Sequence, residues 1–450
     1  MRRLVQVGAA VLLATFSSPA AAQPPETGTA TGPAGAPASL TLSLDEAISR
    51  ALASHEDVRL AEADRRLAAG RLAEVESVLR PGLTFDLDYT RNVEQPVFFL
   101  QQDGRVQEIQ VGSDHEYDLA LSLEQPLFDA RVFPALRANR LALDAADAAV
   151  LDRRTAIALA ARLAYYDALL AGEQVEVQRQ ALAQADARHD QVEALFGAGT
   201  AAEFDLLVAR VEVDNIRPDL IAAENRLRLT VQRLKRVVGL PPATDLALAG
   251  DFAPIAPPPG LDDSVEAALL ARGDLEALRL AAAAQEQRVE RERRANLPSV
   301  SLLAELRRQA SSDEAVPDDL VQSSNAQVQV TVPIFQGGAR KARVEQEKAT
   351  LESNRLLVQQ RTEDVRLQVE EALLALDGAR RAIEASGSNV ERAEKALEIA
   401  RVRFANGLST QVELNDAELA VTRARSNFAE SRYAYSVSWA RLQAATGRVD

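Results

Sequence analysis

The chain has 450 residues, a formal net charge of −15 and no cysteine. The lack of cysteine excludes disulfides, thiol catalysis, cysteine-ligated metals and a lipid anchor attached to cysteine. The acidic balance argues against nucleic acid as a partner, because binding to phosphates requires an excess of Lys and Arg. No nucleophile–base pair, phosphate-binding loop or metal-ligand spacing occurs, so we predict no catalytic residue, no cofactor, no metal site and no enzymatic activity.

Residues 1–22 have the pattern of a secretory signal peptide. Two arginines precede an apolar run that ends at Phe16, and three alanines ending at Ala22 offer a cleavage site. The apolar run is too short to span a bilayer. Export without eukaryotic features indicates the envelope of a Gram-negative bacterium. Residues 23–42, rich in Pro, Gly, Ala and Thr, are predicted to be a flexible N-terminal segment.

Residues 43–239 are predicted to form a first structural unit that begins with a helix and two strands. Ser43, with Glu46 three residues later, is a candidate N-cap for a helix that runs to about Leu79. Apolar and polar residues then alternate over two stretches, which is the signature of strands at residues 83–91 and 117–125.

A very long helical hairpin is predicted to complete this unit. A helix-forming composition runs from about Ala130 to Phe196, and a second helix returns to about Val238. The longer helix would measure roughly 100 Å at 1.5 Å per residue. A helix of that length in water must pack against others along its length, so we predict a coiled-coil bundle.

The same order of elements recurs in residues 261–447, after a proline-rich linker at 240–260. The segment from Phe196 to Thr200 returns 208 positions later as Phe404-Ala405-Asn406-Gly407-Leu408. Pro126-Leu127-Phe128 returns 207 positions later as Pro333-Ile334-Phe335. Anchors in one order at a nearly constant offset indicate an internal two-fold repeat. The second unit carries predicted strands at residues 299–307 and 326–333.

The four predicted strands allow two interpretations. An apolar face opposite a polar face suits a membrane barrel with a wet interior, and it equally suits an ordinary hairpin with one face on a core. In lipid, four strands would leave open edges, so a barrel would require other copies of the chain. Two copies would give eight strands with a filled interior, and three would give twelve with room for a channel.

The order of elements, the two Pro-x-Phe strand ends and the two glycine-centred helix turns resemble the TolC-type outer-membrane efflux protein family. The resemblance implies an α+β membrane protein in which three chains complete a twelve-stranded barrel above a helical periplasmic tunnel. Residues 92–116 and 308–325 would be extracellular loops. The implied location is the bacterial outer membrane, extending into the periplasm. The implied partners are outer-membrane lipid, a periplasmic adaptor (membrane fusion) protein and an inner-membrane transporter.

In this family, turns similar to the two glycine-centred turns contact the adaptor. Reversing the chain in so few residues requires a positive φ, which glycine adopts without strain. We therefore predict adaptor-docking tips, with an unpartnered helix turn as the alternative, at Ala198, Gly199, Thr200, Asn406, Gly407 and Leu408.

The resemblance also implies a gate beside the second tip. Glu413 and Asp416 lie three apart on one helix face and match acidic positions that ring the closed entrance in family members, and Asp205 matches the acidic position after the first tip. Three chains would place six carboxylates of Glu413 and Asp416 around one constriction, which favours cations. The alternative is a solvated helix face. Phe404 and Ser409 stand where the family has a Tyr and an Arg that latch the entrance, so we expect a weaker or differently built latch.

The function implied by the resemblance is a passive exit duct in the outer membrane. It would serve a tripartite efflux pump or a type I secretion system. The alternative is a periplasmic coiled-coil scaffold or adaptor whose strands form a soluble domain. The strand faces separate the two interpretations, because a soluble domain does not need four strands that each present an unbroken apolar face.

Overall fold

The computed structural model describes residues 40–95, 97–102, 105–110, 112–314, 317 and 319–449. The predicted signal peptide and residues 23–39 lie outside these ranges. Among the described residues, no helix is both long and apolar enough to cross a membrane. The elements follow in the order β1 (Leu40–Leu42), α1 (Leu44–Ser54), α2 (Glu56–Ser77), β2 (Gly82–Arg91), β3 (Val97–Gln102), β4 (Arg105–Gln110), β5 (His115–Asp129), α3 (Val132–Gly197), α4 (Glu203–Val237), β6 (Leu246–Leu248), α5 (Leu261–Ala271), α6 (Gly273–Arg293), a 3₁₀ turn (Arg294–Asn296), β7 (Ser299–Ser312), β8 (Val321–Thr331), α7 (Ala339–Ala405) and α8 (Gln411–Ala445).

The first helical segment begins as predicted but is not continuous. The Ser43 hydroxyl accepts a hydrogen bond from the backbone N–H of Glu46, and the Glu46 carboxylate accepts one from the N–H of Ser43. The segment then breaks at His55, whose backbone is extended, so the prediction of one helix to Leu79 is wrong. The His55 Nδ1 accepts a hydrogen bond from the N–H of Asp57 at 3.2 Å. The histidine ring therefore caps a new helix, α2.

A short parallel pair, β1 with β6, joins the beginning of the described chain to the predicted linker. Leu42 in β1 is fully buried, which corrects the prediction that residues 23–42 are flexible throughout. The linker also packs tightly. The Tyr165 hydroxyl donates to the carbonyl of Ala249 at 2.8 Å, and the Tyr435 hydroxyl accepts from the N–H of Ala256 at 2.8 Å. The segment between the two units is thus part of a core.

Four strands form one antiparallel sheet in the order β2-β5-β7-β8. Strand β5 continues through Pro126 to Asp129, with a bulge between Pro126 and Phe128 that accommodates the proline. Strand β7 reaches Ser312 and β8 begins at Val321, so most of the loop predicted at 308–325 is strand. The side chains at these strand ends are mostly polar, so apolar and polar residues do not alternate there. The strands nevertheless continue, because the hydrogen bonds that pair them involve only the backbone.

The two faces of the sheet differ in chemistry. One face presents apolar side chains that are largely exposed, including Leu83 and Phe85 on β2 and Val328 and Val330 on β8. The other face is polar, and on it the Arg307 Nε lies 2.8 Å from Asp118 Oδ1. Strands β2 and β8 are the two edges, and neither pairs with a further strand in the part of the chain that the structure describes.

The segment predicted as a loop at 92–116 contains a hairpin of its own. Strands β3 and β4 pair antiparallel there, and they hydrogen-bond to no strand of the main sheet within the described ranges. The sequence did not predict this hairpin, because its apolar run is too short to match a ten-residue strand pattern. That run consists of Val97, Phe98, Phe99 and Leu100. The correction is a two-stranded projection in place of an irregular loop.

Two long helical hairpins are the largest parts of the described chain. Helices α3 and α7 have 66 and 67 residues, so each is roughly 100 Å long at 1.5 Å per residue. The return helices α4 and α8 have 35 residues each. Helix α3 packs against α2, α4, α6 and α8, while α7 packs against α5, α6 and α8. The contact between α3 and α8 therefore unites the two hairpins.

Candidate docking tips and gate

The first hairpin turns through a compact glycine motif. Gly199 has a φ of +72°, and its N–H donates to the carbonyl of Phe196 at 2.9 Å. The N–H of Thr200 donates to the carbonyl of Leu195 at 2.9 Å, and the Thr200 hydroxyl donates to the same carbonyl at 3.0 Å. These bonds satisfy the last carbonyls of α3, as expected for a helix closed by a left-handed residue.

The second hairpin turns in the same way. Gly407 has a φ of +70°, and its N–H donates to the carbonyl of Phe404 at 2.9 Å. The N–H of Leu408 donates to the carbonyl of Arg403 at 2.8 Å. Thr410 then caps α8, because its hydroxyl accepts from the N–H of Glu413 at 3.3 Å. Both predicted tips therefore share one backbone geometry.

The two tips lie at the same end of the molecule. A hydrogen bond from Arg188 on α3 reaches the Asn415 side chain on α8, and Arg401 on α7 donates to Gln184 on α3 at 3.3 Å. Each of these residues lies within a few turns of its own tip. The predicted docking residues of both units are thus brought to one end.

The three predicted gate carboxylates differ in their surroundings. Asp205 accepts a hydrogen bond from the N–H of Ala202 at 3.2 Å, so it helps to begin α4. Glu413 and Asp416 are exposed, and their carboxylates make no hydrogen bond or ion pair with other described residues. They lie one helical turn apart on α8. Glu413 and Asp416 are free to act on solvent and ions, whereas Asp205 already has a structural partner.

Phe404 and Ser409, the two residues that depart from the family pattern, form no link between the two helical hairpins. Phe404 packs within the second hairpin against a cluster that includes Leu397, Leu414 and Val421. The Ser409 hydroxyl is buried and has no hydrogen-bond partner among the described residues. Any link across the two hairpins must therefore come from other side chains.

That link is a charged network centred on Arg188, which sequence reasoning missed. Arg188 is only 5% exposed, and its Nη1 lies 2.9 Å from Glu212 Oε2 on α4. Its other Nη contacts Glu418 on α8, which in turn lies 3.5 Å from Arg401 on α7. Burial lowers the pKa of the Arg188 guanidinium, while the Glu212 carboxylate opposes that shift. The network joins all four hairpin helices near the tips.

A signal for this network was present in the sequence. Ala185, Arg188 and Val192 are spaced three and four apart, so they share one helical face, and the two apolar residues are buried. An arginine in an apolar stripe must find carboxylates from neighbouring helices. The pattern predicts a buried ion pair, although it does not name the partners.

Comparison with known proteins agrees with this architecture. Residues 47–240 and 265–448 match the family model described as outer membrane efflux protein. The alkaline protease secretion protein AprF of Pseudomonas aeruginosa is 25% identical over 343 residues, which cover 75% of this chain and 71% of AprF. The pyoverdine export outer membrane protein OpmQ of Pseudomonas putida is 27% identical over 392 residues, which cover 85% of this chain and 81% of OpmQ.

A solved structure shares the fold. The CmeC outer membrane channel of Campylobacter jejuni superposes with a TM-score of 0.75 at 19% identity, over 90% of this chain and 85% of that one. The predicted TolC-type resemblance is thereby confirmed, since the family model spans most of the chain. The chain belongs to the outer membrane efflux protein family, a family of outer-membrane channels, and is an outer-membrane protein that extends into the periplasm.

Proposed function

We propose that the chain is one of three subunits of a passive exit duct, serving a tripartite efflux pump or a type I secretion system. The observation that carries the proposal is the sheet, whose apolar face is exposed and whose two edges are unpaired. Leu83 is 67% exposed and Val328 is 62% exposed, at opposite edges of the sheet. An exposed apolar sheet face of this kind is unfavourable in water and favourable in contact with lipid.

Closure by three copies follows from the geometry of barrels. Pairing the β8 edge of one copy with the β2 edge of the next satisfies the open backbone groups. Two copies would give eight strands, whose interior is filled by side chains, and three would give twelve with a lumen. The polar face, with Asp118 and Arg307, would then line that lumen. The agreement in length between the two helical hairpins supports an origin of both units by duplication.

The tips and the free carboxylates fit the periplasmic end of such a duct. Leu408 is 69% exposed and Phe204 is 72% exposed, so both tips present apolar side chains for a helical partner such as an adaptor protein. In a trimer, Glu413 and Asp416 would contribute six carboxylates at the entrance and favour cations there. The names of AprF and OpmQ refer to secretion of an alkaline protease and export of pyoverdine, and both activities suit a duct without chemistry of its own.

Engineered disulfides test the assembly directly, because the chain has no native cysteine. A chain with Phe85→Cys on β2 and Val328→Cys on β8 should form, on oxidation in outer-membrane fractions, linked species of up to three chains and none larger. Replacing Phe85→Cys by Leu83→Cys or Leu87→Cys scans the register. A matched control with Leu121→Cys on the inner strand β5 should give no link to a neighbouring chain.

Two results would overturn the proposal. One is a monomer for every pair in the register scan. The other is recovery of the native chain in the soluble periplasmic fraction without detergent, which would favour a periplasmic scaffold or adaptor. Ion conductance of the purified protein in planar bilayers is the direct measurement of a duct.

A further inference from the structure

The apolar face of the four-stranded sheet becomes basic at the end that lies away from the helices. Residues directly opposite each other in an antiparallel ladder share one face, and successive residues of a strand alternate between faces. The pairing of β2 with β5 and of β5 with β7 therefore places Arg91, His115 and Arg308 on the same face as Phe85. All three basic residues lie towards that one end of the sheet.

Charge is segregated between the two faces of the sheet. Within the paired rows of β2, β5, β7 and β8, the apolar face carries no carboxylate. The carboxylates of these rows, such as Asp88, Asp118 and Glu305, lie on the opposite face. Wherever the apolar face carries a charged group, that group is therefore basic, and an approaching anion meets no carboxylate there.

These basic residues lie at the height of lipid headgroups. The helices extend into the periplasm, so the other end of the sheet faces the exterior. Arg308 follows Val300 by eight positions on β7, which is roughly 20 Å of height for a strand tilted by about 40° and rising about 3.3 Å per residue. The apolar band of a membrane barrel is about 25 Å tall. Arg308 therefore lies near the outer boundary of the hydrocarbon, and the row of Arg91 and His115 lies further out.

The three side chains retain hydrogen-bond donors for an anion. The exposed guanidinium of Arg91 makes no hydrogen bond or ion pair with other described residues. The partner of Arg308 among the described residues is neutral, since its Nη2 donates to Gln322 Oε1 at 3.2 Å. The Tyr89 hydroxyl lies 2.7 Å from His115 Nδ1. When that hydroxyl donates to Nδ1, Nε2 carries the ring proton and can donate to a ligand.

Aromatic rings separate the outermost basic row from the apolar rows. The rings of Tyr89 and His115 stack with centroids 5.9 Å apart, and those of Tyr89 and Tyr117 lie 5.1 Å apart. Such rings are typical of the level of the headgroups. Leu87 and Leu119 form the next row towards the membrane centre. The surface thus offers basic groups above apolar side chains, which complements a lipid that carries phosphate on its headgroup.

We propose that this end of the sheet binds a phosphorylated glycolipid of the outer leaflet, the chemical class of lipid A. The inference rests on the proposed function, because it takes the apolar face of the sheet to be embedded in the membrane. Arg91 and Arg308 bind the phosphate groups, because a guanidinium donates two parallel hydrogen bonds to phosphate oxygens. His115 adds a further donor, and the acyl chains lie over Leu87 and Leu119. A phospholipid with one phosphodiester offers less charge to the basic groups and should bind more weakly.

The test uses the whole purified protein in detergent and measures retained lipid by native mass spectrometry. The probe is diphosphoryl lipid A, and the comparison lipids are phosphatidylglycerol and phosphatidylcholine. The native protein should retain lipid A about ten-fold more than phosphatidylcholine, with phosphatidylglycerol between the two. The variant Arg91→Gln with Arg308→Gln should lower the retention of lipid A by about ten-fold, because both guanidiniums are lost.

A matched control removes two arginines elsewhere. The variant Arg366→Gln with Arg392→Gln takes away two exposed guanidiniums of α7 that make no ion pair with other described residues. Its net charge equals that of the Arg91/Arg308 variant, and it should retain lipid A as the native protein does. Circular dichroism checks that both double variants keep the native fold.

Equal retention of lipid A by the two double variants would overturn the inference, as would equal retention of lipid A and either comparison lipid by the native protein. Displacement of lipid A by inorganic phosphate, but not by chloride at the same ionic strength, would indicate a site for phosphate alone and would also overturn it.

Conductance in planar bilayers separates this inference from the proposed function. A native protein that conducts but shows no preference for lipid A rejects the lipid site alone. A protein that binds lipid A in the expected pattern but never conducts rejects the duct.

Discussion

Arg188 of α3 and Glu212 of α4 form an ion pair at 2.9 Å in which the arginine is almost fully buried. Because the same guanidinium also contacts Glu418 of α8, one side chain connects the first hairpin to the second. A buried cation between two carboxylates is costly to disrupt, since removing it leaves two like charges without a partner. The link lies near the two tips, where Phe404 and Ser409 form no contact between the hairpins.

Substitution Arg188→Met should therefore destabilise the protein by about 3 kcal/mol. The measurement is the unfolding midpoint of the purified protein, followed by circular dichroism. Arg179→Met is the matched control, because the Arg179–Glu224 pair is 3.1 Å long but exposed, and its loss should cost less than about 1 kcal/mol. Adding Glu212→Gln and Glu418→Gln to the Arg188 variant should restore part of the stability. Equal losses in the Arg188 and Arg179 variants would contradict this account.

Stability should fall in acid because of Asp274, which begins α6. Burial raises the pKa of Asp274, but hydrogen bonds from Arg272 and Arg361 outweigh it and lower the pKa to about 2. Both bonds measure 2.7 Å. Since the folded pKa lies below the ordinary value of 3.8, the contribution is complete above about pH 4 and is lost as the pH falls towards 2.

Two variants isolate that effect when the unfolding midpoint is followed from pH 6 to pH 2. Asp274→Asn should be less stable at pH 6 and should show a flatter decline. Asp152 lies nearby, and its pKa is raised by burial and by Asp274, so it contributes in the opposite direction. Asp152→Asn should therefore retain the acid decline. A decline of the same size in the Asp274 variant would show that other groups cause it.

The cation preference of the proposed duct should depend on Glu413 and Asp416. The variant Glu413→Gln with Asp416→Asn should bring the ratio of cation to anion permeability in planar bilayers towards one, because it removes the free carboxylates at the entrance. Asp205→Asn is the control. Its carboxylate is occupied at the start of α4, so selectivity should stay while helix stability falls by about 1 kcal/mol. Unchanged selectivity in the double variant would reject a carboxylate ring.

The turn at the second tip should tolerate no side chain without strain. Gly407→Ala should cost about 1–2 kcal/mol, since the residue has a φ of +70°. Gly378→Ala is the contrasting control, because Gly378 lies within α7 with nothing near its added Cβ, and alanine should stabilise it by about 0.5–1 kcal/mol. Thermal unfolding should show a loss of stability in the Gly407 variant and a gain in the Gly378 variant. Binding of a purified adaptor should weaken only in the Gly407 variant. Equal adaptor binding by both variants would argue against docking at this tip.

Structural features that depend on patterns over many residues could be predicted from the sequence, whereas individual side-chain interactions could not. The long hairpins follow from uninterrupted helix-forming composition, and the tips follow from Gly199 and Gly407, since a sharp reversal demands a positive φ. The break at His55 was hidden because a histidine side chain provides the cap, which composition does not reveal. The partners of Arg188 were likewise hidden, because they lie on helices far away in sequence.

The pairing of β1 with β6 has a consequence for the order of folding. Leu40 pairs with Leu246, which lies 206 positions further along the chain, so β1 cannot pair until more than half of the polypeptide is present. Closing so long a loop is entropically costly and slows folding. Strand β1 therefore lacks its partner until the segment that follows the first helical hairpin is present.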